Sequence, residues 1–175
     1  MEPTQLTINK RPSIDEYFMA MAFLVSSRAT CKEAKVGAVL VSSNRHVLAT
    51  GYNGMLSGLP ECDHTGSCKL TRAKSTGEVT RMCPTIHAEA NALAQYRLAH
   101  NQPWVPKDTT IYVTTFPCLA CVQQLIQAKV LRVIYGSSNS WEGVSKDYYS
   151  NLITFKKLEF PLSLQNNLKS WANSK

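Results

Sequence analysis

The residues able to do chemistry lie between His87 and Cys121. They read His87-Ala88-Glu89 and then, after an intervening strand-like stretch, Pro117-Cys118-Leu119-Ala120-Cys121. One imidazole and two thiols make the ligand set expected of a catalytic zinc ion, with three protein ligands and a fourth position left to water. Zinc lowers the pKa of that water far enough for hydroxide to form near neutral pH, a nucleophile suited to a carbon bearing an amino group. Glu89, two residues beyond the histidine, is the expected proton carrier. It takes the proton from water, protonates a ring nitrogen and then serves the departing amine, so that ammonia leaves.

The spacing says which elements must hold these groups. From Ile86 to Leu98 the residues Ala90, Leu93, Ala94 and Leu98 recur at helical intervals, which places His87 and Glu89 in a first turn. Pro117 opens a second helix on which Cys118 and Cys121, three apart, share a face. Free amide groups at that helix start favour the thiolate forms. A cysteine pair at this spacing also serves structural zinc, and His-x-Glu alone is common. Together, with proline before the first cysteine and both pieces at helix starts, they match the signature of zinc-dependent nucleobase deaminases.

At 175 residues, with 44% hydrophobic and 18% charged residues, the chain suits one globular domain with a sizeable core. No stretch approaches the roughly 20 apolar residues that span a bilayer. Residues 1–11 are polar and lack the apolar core of a signal peptide, so a reducing, intracellular setting is expected. The net charge of +7 comes from scattered basic residues and serves a nucleotide phosphate as well as a nucleic acid. Six cysteines in such a setting point to metal before disulfides. With Cys118 and Cys121 assigned, Cys31, Cys62, Cys68 and Cys83 remain as candidates for a second, structural zinc, with His64 able to replace one of them.

Along the chain, residues before Pro12 read as a loosely held arm. Ser13 and Glu16 form a capping-box pattern ahead of a helix ending near Ala29. Val36–Val41 and Val47–Thr50 read as a hairpin, followed by an irregular region from Gly51 to Thr85, long enough to require a function or an internal brace. Within it, Gly51 and Gly54 would permit close approach of backbone to a ligand, and Asn53 offers both donor and acceptor. The bland reading of Asn53-Gly54 is an ordinary turn. A brace of Cys31, Cys62, Cys68 and Cys83 would tie the first helix to this region, against the alternative of free thiols among solvated basic residues. Further strands are expected at Thr109–Thr115, Leu131–Tyr135 and Thr154–Leu158, and helices at Cys118–Gln127, Ser145–Asn151 and Leu164–Trp171, with a surface loop at Gly136–Gly143. Alternating helices and strands predict a three-layer α/β/α fold with right-handed crossovers around a mixed five-stranded sheet.

The chain resembles the deoxycytidylate deaminase family of the cytidine deaminase-like superfamily over about Tyr17 to Gly136. The likeness rests on Lys35-Val36-Gly37-Ala38-Val39, Gly51-Tyr52-Asn53-Gly54, Ile86 to Ala92 and Tyr112 to Cys121, and is greatest for viral and bacterial members with a cysteine-bearing loop. The resemblance implies zinc on His87, Cys118 and Cys121, Glu89 as proton shuttle, conversion of dCMP to dUMP in support of thymidylate synthesis, and Asn53 against the nucleoside. It also implies a homo-oligomer such as a hexamer, activation by dCTP and inhibition by dTTP with Mg2+, and a cytoplasmic setting, or the host-cell cytoplasm for a viral member. Neither a membrane nor a stable nucleic-acid partner is expected. Arg28, Gly51, Tyr52, Gly54, Gly58, Arg72, Lys74 and Arg81 are candidates for contact with a phosphate or a regulatory nucleotide, with solvent exposure as the alternative for the basic ones. Two other readings stay open: an adenosine deaminase acting on tRNA, and a noncatalytic zinc module that binds nucleotide or RNA. Glu89 argues against the second, because a structural metal gives it no task.

Overall fold

The structure, a computed structural model, describes residues 12–31, 34–59 and 85–159. The elements in chain order are α1 (Ile14–Ser26), β1 (Gly37–Val41), β2 (Val47–Tyr52), α2 (Ala88–His100), β3 (Thr110–Thr115), α3 (Leu119–Gln127), β4 (Arg132–Ser137), α4 (Glu142–Tyr149) and β5 (Thr154–Lys157). The five strands form one sheet in the order β2-β1-β3-β4-β5. β1 runs antiparallel to both β2 and β3, whereas β3, β4 and β5 are parallel, so the sheet is mixed.

The layering follows from alternation along the strands. Ala38 and Leu40 of β1 face one way and pack with Ala92 and Leu93 of α2 and Val122 and Leu125 of α3. Val39 and Val41 face the other way and pack with Phe18, Met19 and Ala22 of α1. Side chains of a strand alternate between faces, so a strand buried along its whole length must be covered on both sides. The result is the expected three-layer α/β/α sandwich, with α1 on one face and α2 and α3 on the other. Among the described residues no helix is long and apolar enough to cross a membrane.

Local chemistry sets several boundaries differently from the sequence reading. The capping box at α1 is present, with Ser13 N donating to Glu16 Oε2 at 2.7 Å and Glu16 N donating to Ser13 Oγ at 3.3 Å. The helix stops at Ser26 rather than near Ala29, where the hydroxyls of Ser26 and Ser27 donate back to the carbonyls of Phe23 and Leu24. β2 runs on through Tyr52, which takes Gly51 and Tyr52 out of the irregular region. β4 extends to Ser137, whose carbonyl accepts from Phe116 N at 2.8 Å, so Gly136 is strand and not loop. α4 begins at Glu142, earlier than expected, because Asn139 forms a turn that feeds it: Asn139 Oδ1 accepts from Trp141 N at 2.9 Å. The arm before Pro12 and the helix expected at 164–171 lie outside the described residues.

Two contacts fix the position of α2. A Cβ on Gly51 would lie 2.2 Å from the Ala88 carbonyl oxygen and 2.3 Å from Ala92 N, so helix and strand touch backbone to backbone. Asn91 Nδ2 donates to the Tyr52 carbonyl at 2.7 Å beside it. α4 is fixed otherwise: Glu142 accepts from the Tyr135 hydroxyl of β4, and Lys146 donates to Glu142 at 2.7 Å and to the Tyr135 oxygen at 3.0 Å.

Gly51→Ala is expected to force α2 off β2 and cost about 3 kcal/mol, at the upper end of overpacking. That corresponds to a drop in melting temperature of more than about 5 °C, and a melt overlaying the wild type would contradict the contact. The ammonium of Lys146, then the Tyr135 hydroxyl, holds the Glu142 carboxyl down at about 2. A depressed carboxyl stabilises the fold above its ordinary pKa of 4.5 and loses that contribution as pH falls toward about 2. Glu142→Gln should therefore be less stable than wild type in denaturant melts at neutral pH, with the difference closing across that acid window.

Candidate active site

His87 and Cys118 occupy the same structural position on two helices. Each is the N-cap residue, His87 of α2 with φ −73° and ψ 155° and Cys118 of α3 with φ −67° and ψ 165°, and neither side chain caps its own helix. Both side chains turn instead toward a common point. Cys118 Sγ lies 3.4 Å from His87 Nδ1, and Cys121 Sγ lies 3.5 Å from the same nitrogen. The ligand atoms of His87, Cys118 and Cys121 all fall within 4.8 Å of one another.

That geometry can be tested against zinc. Bonds of about 2.1 Å to nitrogen and about 2.3 Å to sulfur at tetrahedral angles set the nitrogen about 3.6 Å from each sulfur. The observed separations match, and the donor set of one imidazole and two thiols is that of a three-ligand zinc site. The residues fit the ion.

The local electrostatics agree. Cys121 donates its proton toward Cys118, and with His87 alongside this lowers the Cys118 thiol to about 4. The Cys121 thiol is correspondingly raised by Cys118, with burial adding to the shift. A bound cation would favour the thiolate form of both. Glu89, in the first turn of α2, is 3% exposed, and its carboxyl contacts the Cys121 thiol. Burial pushes that carboxyl up to about 6, partly offset by a hydrogen bond from its own backbone amide and then by the neighbouring His87.

These groups open into a cavity of about 320 Å³ whose wall includes His87, Glu89, Cys118 and Asn53. Cys31 also lies on this wall and is buried. Asn53 is buried and its amide is committed to the fold: Oδ1 accepts from Val36 N at 2.8 Å and Nδ2 donates to the Ala34 carbonyl at 2.8 Å. It clamps the segment that forms the adjacent wall. The glycines admit close packing within the fold: Gly51 admits helix α2, and a Cβ on Gly54 would meet the Thr30 hydroxyl at 2.5 Å. Gly54 also pairs with Ile86, accepting from Ile86 N at 2.8 Å and donating to its carbonyl at 3.1 Å. This bridge delivers the chain to His87. Gly58 has φ +88° in an open turn, and Arg28 is exposed beyond the end of α1. Neither is among the described pocket residues, which include no lysine or arginine, nor is Tyr52. Cys62, His64, Cys68, Arg72, Lys74, Arg81 and Cys83 lie outside the described residues.

The sequence reading missed one wall of the cavity: Thr115, Phe116, Asn139, Ser140 and Trp141. The available signal was Asn139, a turn-forming residue just past a strand end.

A family model described as the cytidine and deoxycytidylate deaminase zinc-binding region matches residues 12–137. The chain is 40% identical over 128 residues to the deoxycytidylate deaminase of Schizosaccharomyces pombe, covering 73% of this chain and 38% of that protein. It is 37% identical over 130 residues to the deoxycytidylate deaminase of Mycobacterium phage D29, covering 71% of this chain and 95% of the phage protein. The chain therefore spans well under half of the yeast relative and nearly all of the phage one. Among solved structures, the dCMP deaminase of cyanophage S-TIM5 in complex with dCMP and dUMP aligns at a TM-score of 0.64 and 30% identity, over 85% of this chain and 99% of that one. The matched region contains both helix starts and all three converging ligands, and on that ground the chain belongs to the cytidine and deoxycytidylate deaminase family.

Proposed function

We propose that this protein catalyses the hydrolytic deamination of dCMP to dUMP and ammonia, with zinc held by His87, Cys118 and Cys121. The observation that carries the proposal is the convergence of those ligand atoms within 4.8 Å beside a buried carboxyl at the floor of a cavity. The substrate comes from the relatives: the yeast and phage proteins are named deoxycytidylate deaminases, and the cyanophage enzyme was crystallised with dCMP and dUMP.

In the reaction the C4–N bond of cytosine breaks and a C4–O bond forms from water. Zinc, when bound, supplies Lewis acidity that makes hydroxide available near neutral pH. Glu89 moves the protons: its carboxylate receives one from the water and delivers it to the ring nitrogen beside C4, then takes the second from the new C4 hydroxyl and passes it to the leaving amine as the C4 carbonyl forms. Burial favours the protonated carboxyl, which eases that delivery. The positive ends of α2 and α3 both face the site and favour negative charge developing there. Asn53 shapes the wall against which the nucleoside sits, through the clamp on Ala34 and Val36. Arg28, Arg72, Lys74 and Arg81 are the candidates for the 5′-phosphate, on the strength of their charge alone.

A second zinc is proposed on Cys31, Cys62, Cys68 and Cys83, with His64 as the alternative ligand, from the cysteines that the catalytic cluster leaves over. Assembly into a homo-oligomer such as a hexamer and regulation by dCTP and dTTP with Mg2+ are proposed from the family resemblance. A cytoplasmic location is proposed with them.

Ammonia release at matched concentrations is expected to favour dCMP over cytidine, tRNA and single-stranded DNA, and to rise when dCTP and Mg2+ are added. Activity confined to RNA would remove the mononucleotide assignment, and indifference to dCTP would remove the regulatory one. Glu89→Gln should lower kcat by about 10²- to 10⁴-fold, the usual worth of a proton-transfer group. Metal analysis of that variant should still return two zinc ions per chain. Full turnover in the variant would dismiss Glu89 as proton carrier, and a single zinc would dismiss the second site.

A further inference from the structure

We propose that Trp141 forms the outer wall of the pocket and sets its affinity for a pyrimidine nucleoside monophosphate, with Asn139 as the residue that positions it. The inference rests on the deamination reading above. Trp141 lines the same cavity as His87, Glu89 and Cys118, yet it is 44% exposed, whereas Glu89 is 3% exposed. The reacting carbon belongs at the buried end, so a half-exposed indole meets the part of the ligand that points outward. A flat, polarisable apolar face left partly in water suits a pyrimidine ring and its sugar, and covering it on binding contributes affinity.

The indole is not on a free loop. Asn139 Nδ2 donates to the carbonyl of Phe116, the residue before Pro117-Cys118, while its Oδ1 accepts from Trp141 N at 2.9 Å. One amide thus ties the backbone of Trp141 to the backbone that presents the first thiol. Behind it, Glu142 is anchored to the Tyr135 hydroxyl and Lys146, and Phe116 packs edge-on against Tyr135 at 4.8 Å and 90°. The wall and the ligand-bearing turn are held by the same small cluster. A ligand between them meets a fixed gap.

The test pairs equilibrium binding of dUMP to the zinc-loaded protein with steady-state kinetics on dCMP. Trp141→Ala should weaken dUMP about tenfold and raise KM for dCMP to the same extent, with the loss falling more on KM than on kcat. Trp141→Phe, which keeps an aromatic face, should restore most of it. Asn139→Ala should weaken dUMP in the wild-type background and add little to Trp141→Ala, because it acts through the indole. Unchanged dUMP affinity in Trp141→Ala overturns the proposal, as does a loss of affinity that tracks a change in oligomer mass, which would make the indole a contact between copies. Additive losses would remove the role given to Asn139. Wild-type protein that binds dUMP through Trp141 but releases no ammonia from dCMP would sink the deamination reading and leave the wall standing. Wild-type protein that deaminates dCMP while Trp141→Ala binds dUMP normally would do the reverse.

Discussion

Everything at the site depends on how closely α2 lies against β2. A side chain at position 51 would occupy space already taken by the backbone of Ala88 and Ala92, so the helix rests directly on the strand. That approach places the start of α2 at the edge of the sheet where α3 also begins. Asn91 and the Gly54–Ile86 bridge then fix the helix along its length and at its entrance. A shift of one ångström here would separate an imidazole from two thiols that now stand close enough together to share an ion.

The use of N-cap positions for two ligands has a cost and a return. Serine, threonine, aspartate or asparagine at an N-cap satisfies a free amide and contributes about 1 kcal/mol, which His87 and Cys118 forgo. What the arrangement provides in exchange is a rigid base for each ligand and two sets of N-terminal amides around the metal position. Those amides and the helix dipoles favour anions without adding titratable groups. Stability at the helix ends is exchanged for a field suited to thiolates and to an oxygen nucleophile.

The catalytic cluster was legible because it is written in two short local patterns whose residue types have few other uses. His87, Glu89, Cys118 and Cys121 each came from spacing relative to a helix start, and the structure brings all of them together. The layers were legible for a related reason: β1 is apolar at every position, which demands cover on both faces. What could not be read was which backbone each permissive residue approaches. Gly51 and Gly54 announce closeness to something, and only tertiary packing reveals that it is a helix in one case and Thr30 in the other. Asn53 announces hydrogen bonding in the same way, and its partners prove to be the backbone of Ala34 and Val36. The wall from Asn139 to Trp141 was missed because it reaches the pocket through two extra residues of β4, set by the long-range bond from Phe116 N to Ser137, and through an early start to α4 fed by the Asn139 turn.

The bridge between Gly54 and Ile86 brings two positions 32 residues apart in sequence side by side, directly before His87. For a loop whose ends are already joined, length is a minor term: each doubling costs only about 0.6 kcal/mol of entropy. Insertions and deletions between those two positions are therefore cheap for the fold, and the delivery of His87 to the start of α2 is inherited apart from them.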